Sequence, residues 1–140
     1  MKKMNNKGFS LIELIIVIAI MAILVAIIAP NLTKYLGKSK RKTDAKNADE
    51  IAQQLQTAIT DYETDNGALI ATDGGTVSIS WASGSAVSNP SNTTFDAIVN
   101  DNITNSTKSK ETSADATASI SKASGKYTIT VTVGNETTSR

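Results

Sequence analysis

The sequence predicts an α+β fold, with one long N-terminal α-helix followed by a small C-terminal head that contains a roughly three-stranded antiparallel sheet. Three observations lead to this prediction. Residues 14–29 carry no polar side chain, residues 48–62 repeat apolar residues at helical spacing, and short segments within residues 76–133 alternate apolar and polar residues. The 140 residues include no cysteine and no histidine, which excludes disulfides, thiol catalysis and histidine-based metal sites.

The chain divides into four segments by composition. We expect residues 1–8 to be a leader peptide that is cleaved, and residues 9–30 to be a hydrophobic helix that spans a membrane. Residues 31–66 should continue this helix in amphipathic form, and residues 67–140 should form a globular head. The apolar run up to Ala29 covers about 31 Å as a helix, which is enough to cross the hydrocarbon core of a bilayer.

The leader, MKKMNNKG, is short, basic and polar, as in the first region of a targeting signal. A secretory signal peptide and a plain signal anchor are the two simple interpretations. Against both, the apolar run carries one acid, Glu13, near its start. The run also exceeds the roughly 7–15 apolar residues of a typical signal peptide. A carboxylate in hydrocarbon costs about 2.5 kcal/mol or more, so Glu13 needs a partner.

Cleavage between Gly8 and Phe9 would create such a partner. The new N-terminus is an α-amine that is positive near neutral pH. It lies at the (i, i+4) helical spacing from Glu13, or it could reach Glu13 of a neighbouring chain. Either pairing would neutralise both charges inside the membrane.

Residues 7–14, KGFSLIEL, followed by the apolar helix and Pro30, resemble the N-terminus of the prepilins of type IV pili. The resemblance implies that a prepilin peptidase cuts after Gly8 and that Phe9 is then N-methylated. It also implies that Glu13 pairs with the N-terminal amine of an adjacent subunit during filament assembly. The implied fold is the type IV pilin fold.

The long helix has one expected break and one expected stop. Pro30 should break the helix, because proline removes a hydrogen-bond donor. Ala22, where family members often carry glycine, is a strong helix former. Asn66-Gly67 is a good stop signal. The predicted amphipathic stripe of the second half consists of Ala48, Ile51, Ala52, Leu55, Ala58, Ile59 and Tyr62.

Between the two halves lies a basic cluster, which has two interpretations. It can be a solvated helix face that complements acids on neighbouring subunits, or a strip that contacts anionic lipid or DNA. The cluster lies after the membrane span and has more basic residues than the leader, so the positive-inside rule alone would predict the reverse orientation in the membrane. The cleavage motif is more specific, and we let it decide the orientation. The cluster comprises Lys34, Lys38, Lys40, Arg41, Lys42 and Lys46.

The head is predicted from alternation and turn signals. Its sheet should lay one apolar face on the stripe of the helix, since neither element has a core alone. The predicted elements are a strand at Thr76–Ala82, a loop at Ser83–Asn92, a short helix at Thr94–Ile103, an exposed polar segment at 104–116, and a hairpin of Thr117–Lys122 with Lys126–Val133.

These features favour a structural role, that of the major pilin of a type IV pilus, resembling the cysteine-free major pilins of Gram-positive bacteria. The chain would be a single-pass precursor in the cytoplasmic membrane and then a homopolymer in an extracellular pilus used for surface motility, adhesion or biofilm formation. Its other partners would be the prepilin peptidase and the pilus assembly platform. We expect no enzymatic activity, catalytic residue, cofactor or metal. The alternatives are a pseudopilin or minor pilin of a secretion or DNA-uptake machine, and a membrane-anchored binding module.

Overall fold

The computed structural model describes residues 8–82, 84–104 and 107–140, so the predicted leader lies outside the described residues except for Gly8. The chain forms two compact units, one up to Gly37 and one from Lys38. The elements confirm the α+β class: α1 (Leu11–Asn66), β1 (Thr76–Ala82), β2 (Ser85–Asn89), α2 (Thr93–Asn102), β3 (Thr117–Ala123), β4 (Lys126–Val133) and β5 (Glu136–Ser139).

The first unit consists of the start of α1 and the residues before it. Every residue from 8 to 36 is exposed. The helix continues through Pro30, so the break predicted at this residue is wrong for this chain. Proline removes one main-chain donor, and the residues around it keep their own helical hydrogen bonds.

The second unit has a continuous core in which the stripe of α1 meets the sheet. Ile51 and Leu55 are completely buried, as are the small residues Ala48, Ala52 and Ala58, which confirms the predicted stripe.

All neighbouring strands of the sheet are antiparallel, and the order is β2-β1-β3-β4-β5. The predicted number of strands, about three, was too low, because the sheet has five. β1, β3 and β4 lie where the alternation placed them. The two edge strands were missed, since β2 falls inside the predicted loop and β5, with the sequence ETTS, has no apolar residue. The turn Gly134-Asn135 was the available signal for β5.

The short helix α2 confirms the prediction to within one residue at each end. Asn92 is its N-cap, and the Oδ1 atom of this side chain accepts a hydrogen bond from the Phe95 N–H at 3.0 Å. The Phe95 ring packs edge-on against Tyr62 of α1 with centroids 5.6 Å apart. This contact joins α2 to the core that α1 shares with the sheet.

The segment after α2 is not simply an exposed polar loop, as was predicted. Ser109 is buried, and it lies against Asp44 of α1, which is completely buried. The Asp44 carboxylate accepts hydrogen bonds from the Ser109 hydroxyl at 2.6 Å and from the N–H groups of Lys110 at 2.6 Å and Glu111 at 3.2 Å. Burial raises the pKa of Asp44, but these hydrogen bonds outweigh it, so the pKa lies below its ordinary value.

A second, more exposed network joins the same segments. Arg41 Nε donates to Glu111 Oε1 at 2.8 Å, and Asn135 Nδ2 donates to Glu111 Oε2 at 3.2 Å. The hydrogen bond from Arg41 lowers the pKa of the Glu111 carboxyl.

Gly134 must be glycine, since its φ is +62° and a Cβ would lie 2.4 Å from Ser109 Oγ.

Candidate functional site

The N-terminal part of the chain presents a continuous apolar surface. The large apolar side chains between Phe9 and Leu36 range from 45% exposed at Val17 to 86% exposed at Phe9. An exposed apolar surface of this extent needs a partner outside the chain, either lipid or protein. The first unit is therefore the candidate functional site.

The apolar surface belongs to a helix of membrane-spanning length. Within residues 8–82, 84–104 and 107–140, α1 is the one helix that is long and apolar enough to cross a bilayer, and none of its most apolar window is buried. A core helix of a soluble protein would be mostly buried. A signal sequence near an N-terminus would pass the same test.

Glu13 contacts the main chain just before the helix. The Ser10 N–H donates a hydrogen bond to Glu13 Oε2 at 2.8 Å, and the Leu14 N–H donates to the Ser10 carbonyl at 3.2 Å. Since α1 begins at Leu11, Ser10 is the N-cap and Glu13 is the third helical residue. This is the glutamate half of a capping box. The motif S-x-x-E at Ser10–Glu13 is the sequence signal for this cap.

The predicted processing residues lie beside this cap. Gly8 and Phe9 are exposed, and a Cβ added at Gly8 would have nothing within 4 Å. The peptide bond between them is therefore open to a protein that approaches it. The structure thus places Gly8, Phe9, Ser10 and Glu13 in one short exposed segment, whereas Pro30 lies well inside α1.

The basic cluster is partly paired within the chain. Arg41 contacts Glu111 at 2.8 Å, and Lys46 contacts Glu50 at 3.3 Å. One of the two interpretations of this cluster is that acids of neighbouring subunits complement it. These two contacts show that the chain itself supplies part of that complement.

The described residues contain no group of three or more His, Cys, Asp or Glu side chains that could hold a metal ion. One surface cavity of about 380 Å³ lies on the outer face of the sheet and is lined mainly by serine and threonine, without a charged residue. A second, of about 350 Å³, lies between α1 and β4 and includes Glu63, Lys126 and Arg140. Two of these charged groups make contacts within the fold: Arg140 binds Asp49 at 3.1 Å, and Glu63 accepts a hydrogen bond from Tyr127.

Comparison with known proteins gives matches in the N-terminal part of the chain. Residues 3–29 match the family model of the prokaryotic N-terminal methylation motif. The chain is 44% identical over 55 residues to the prepilin peptidase-dependent protein A of Clostridium perfringens, a match that covers 39% of each chain. It is 42% identical over 72 residues to the type IV wide pilus major component PilA4 of Thermus thermophilus, which covers 47% of this chain and 53% of the relative.

A third relative comes from a secretion machine. The chain is 38% identical over 76 residues to the type II secretion system core protein G of Vibrio cholerae, which covers 54% of this chain and 49% of the relative. The chain thus spans between 39% and 53% of the length of these three relatives. No solved structure matches it.

The relatives are named for pili, for secretion and for dependence on a prepilin peptidase, and none of these three names describes an enzyme. The match to the methylation motif falls on the predicted leader and on the apolar first part of α1. The methylation motif and these relatives show that the N-terminal part of the chain is similar to type IV pilins and to a type II secretion core protein.

Proposed function

We propose that this chain is the major pilin of a type IV pilus, a structural subunit that polymerises through its N-terminal helix. The observation that carries the proposal is the contrast between a fully exposed apolar segment, residues 9–36, and a head whose core is complete without it. Lipid would cover this segment in the precursor, and copies of the same segment would cover it in the filament. Use in surface motility, adhesion or biofilm formation follows as part of this proposal.

Moving such a helix from lipid into a filament gains little from the hydrophobic effect, since lipid tails are as apolar as the helix itself. Packing between helices and pairing of polar groups must therefore drive assembly. Glu13 is the one acid between Phe9 and Leu36 and is available for this pairing. We propose that it pairs with the α-amine of Phe9 in an adjacent subunit.

The processing steps belong to the same proposal. A prepilin peptidase would cut between Gly8 and Phe9, and Phe9 would then be N-methylated. Residues 1–8 would be the leader, residues 9–30 the span and later the filament core, residues 31–66 the second half of the helix and residues 67–140 the head. The exposure of Gly8 and Phe9 supports access by the peptidase.

The precursor would lie in the cytoplasmic membrane as a single-pass protein, and the assembled filament on the cell surface. The partners of this pathway are the peptidase, the assembly platform and other copies of the chain. The apolar length of α1 supports the membrane stage.

Replacing Glu13 with glutamine tests the role of its charge. Glutamine keeps an oxygen that can accept the Ser10 N–H but removes the negative charge, so the cap is retained while pairing with an amine is lost. We expect surface filaments to fall at least about tenfold in electron micrographs of sheared material, equivalent to about 1.4 kcal/mol of assembly free energy.

The control for this experiment is Asp61→Asn, which removes a charge from an exposed position on the second half of α1. It should leave filament number unchanged. Normal filaments from cells that make Glu13→Gln would contradict the proposed role of Glu13. Mass spectrometry should find a mature chain that begins with methylated Phe9, and a chain that retains residues 1–8 would indicate a membrane-anchored binding module instead.

The second candidate function is that of a pseudopilin or minor pilin in a secretion or DNA-uptake machine. It is favoured by the match to a core protein of a type II secretion system. The two functions differ in abundance, because a major pilin is the main protein of sheared surface fibres. Fibres in which this chain is a trace component would favour the second candidate.

A further inference from the structure

The two edges of the sheet differ in how their main-chain groups are covered. At the β2 edge, the Ala86 N–H donates to Asn100 Oδ1 at 2.8 Å, and the Ser88 N–H donates to Asp96 Oδ1 at 2.8 Å. Both acceptors are side chains of α2. They occupy the donors that another strand would need, so this edge is closed to pairing.

The β5 edge is open. Ile129 and Arg140 exchange both main-chain hydrogen bonds, at 2.8 and 2.9 Å, so they form a hydrogen-bonded pair. Hydrogen-bonded and non-hydrogen-bonded pairs alternate along an antiparallel ladder. The main-chain groups of Thr137 and Ser139 therefore face away from β4. In the described parts of the chain no other residue hydrogen-bonds to these groups, and both residues are exposed.

We propose that β5 is a docking strand for β5 of a second copy of this chain. The two strands run antiparallel about a two-fold axis at Thr138. This register places Thr137 opposite Ser139 of the partner subunit, and Glu136 opposite Arg140 of the partner subunit.

The residues of β5 that direct their main-chain groups outward are the ones that this register pairs. Thr137 and Ser139 are the residues whose N–H and C=O groups point outward, so both of their pairs become hydrogen-bonded pairs. The same patch meets itself, as a two-fold interface requires. On the outer face, hydroxyl contacts of 3.0 Å already join Thr132 to Thr137 and Thr130 to Ser139, and the pairing continues this row into the second sheet.

Charge also selects this register. Glu136 and Arg140 have opposite charges and lie on one face of the strand, so the two-fold pairing brings them together twice. Shifting the axis to Glu136 would oppose two glutamates, and shifting it to Arg140 would oppose two arginines. Arg140 already binds Asp49 at 3.1 Å, but a guanidinium has donors for a second carboxylate.

This contact is distinct from polymerisation through the N-terminal helix. Two-fold pairing reverses the strand direction, so it joins subunits of opposite orientation, as between neighbouring filaments that run in opposite directions. The contact therefore does not depend on the proposed function, and either one can fail alone.

The cysteine-free chain allows a sharp test with single cysteines in the full-length protein. In the proposed register, the Cα atoms of the two Thr138 residues form a non-hydrogen-bonded pair about 4.5 Å apart. That separation lies within the disulfide range of about 4.4–6.8 Å. Mild oxidation of Thr138→Cys should give a covalent dimer on a non-reducing gel.

Ser139→Cys is the matched control on the same strand. Its two copies would be about 8 Å apart, since they are offset by two residues along the strands. That separation is too long for a disulfide. Ser139 is more exposed than Thr138, so exposure alone would favour the control. We expect roughly tenfold more dimer from Thr138→Cys, and equal yields from the two variants would overturn the proposal.

A second variant tests the main-chain pairing. Thr137→Pro in the Thr138→Cys chain removes an outward N–H without removing a hydrogen bond to β4. Dimer yield should fall several-fold while the fluorescence of buried Trp81 stays native. An unchanged dimer yield would contradict strand pairing. Filament formation by the same variants is measured separately. Loss of filaments would concern the proposed function of the N-terminal helix, and it would not count for or against the β5 contact.

Discussion

The two halves of α1 carry apolar surfaces with opposite environments. In residues 11–36, isoleucine, leucine and valine surround the helix and every side chain is exposed, whereas in residues 48–59 a narrow stripe is buried almost completely. One sheet can cover a stripe, but it cannot cover a helix that is apolar on all sides. The comparison shows that the distribution of apolar residues around a helix decides whether the same chain can bury them.

Two of the acids of α1 that contact main-chain N–H groups, Asp44 and Glu13, repeat this contrast. Asp44 is completely buried, with its hydrogen-bond partners supplied by a segment more than 60 residues away in the chain. Glu13 is exposed and has one main-chain contact three residues away. The first acid is a structural element of the head. The second retains the capacity for an external partner.

The largest expected effect compares one leucine from each half. Leu55→Ala should lower the free energy of unfolding of the head by about 2–5 kcal/mol, because it opens a cavity in the core. Leu24→Ala, at a residue that is 52% exposed, should leave it unchanged. Urea unfolding in detergent, followed by the fluorescence of Trp81, measures both. Equal destabilisation by the two variants would break the distinction between the halves.

A smaller effect is expected from the buried acid. Asp44→Asn replaces one accepting oxygen with a donor amide that faces the N–H groups of Lys110 and Glu111, so we expect a loss of about 2 kcal/mol. The control is Asp101→Asn on exposed α2 surface, which should change the stability by less than about 0.5 kcal/mol. A neutral Asp44→Asn would show that the polar contact does not hold residues 107–116 against α1.

The smallest effect is the acid dependence of stability. The pKa values of Asp44 and Glu111 are lowered by folding, so their contribution is present above the ordinary values of 3.8 and 4.5. It is lost as the pH falls below these values through the pKa values of the folded chain. The Tm should therefore drop as the pH is lowered from about 5. The Asp44→Asn chain should show a shallower drop, and parallel pH profiles would argue against this assignment.

Local sequence patterns predicted the elements in which apolar residues recur at regular spacing. Leu55 and its stripe, the strand that contains Trp81, and the β3–β4 hairpin were all confirmed. The edge strands β2 and β5 were missed, because polar residues dominate them and their pairing depends on neighbours. The capping contact of Glu13 was missed although its motif is local. Burial of Asp44 could not be predicted, since it requires Ser109 to arrive from a distant segment.

The sequence alone determined the α+β class, the apolar span, the methylation motif and the lone acid, because each depends on residue type and short-range spacing. Tertiary structure determined the number of strands, the burial of Asp44 and Ser109, and the difference between the closed β2 edge and the open β5 edge. These features depend on which main-chain groups find partners across the fold. Such partners are separated by tens of residues in the chain, so the local spacing of apolar residues does not predict them.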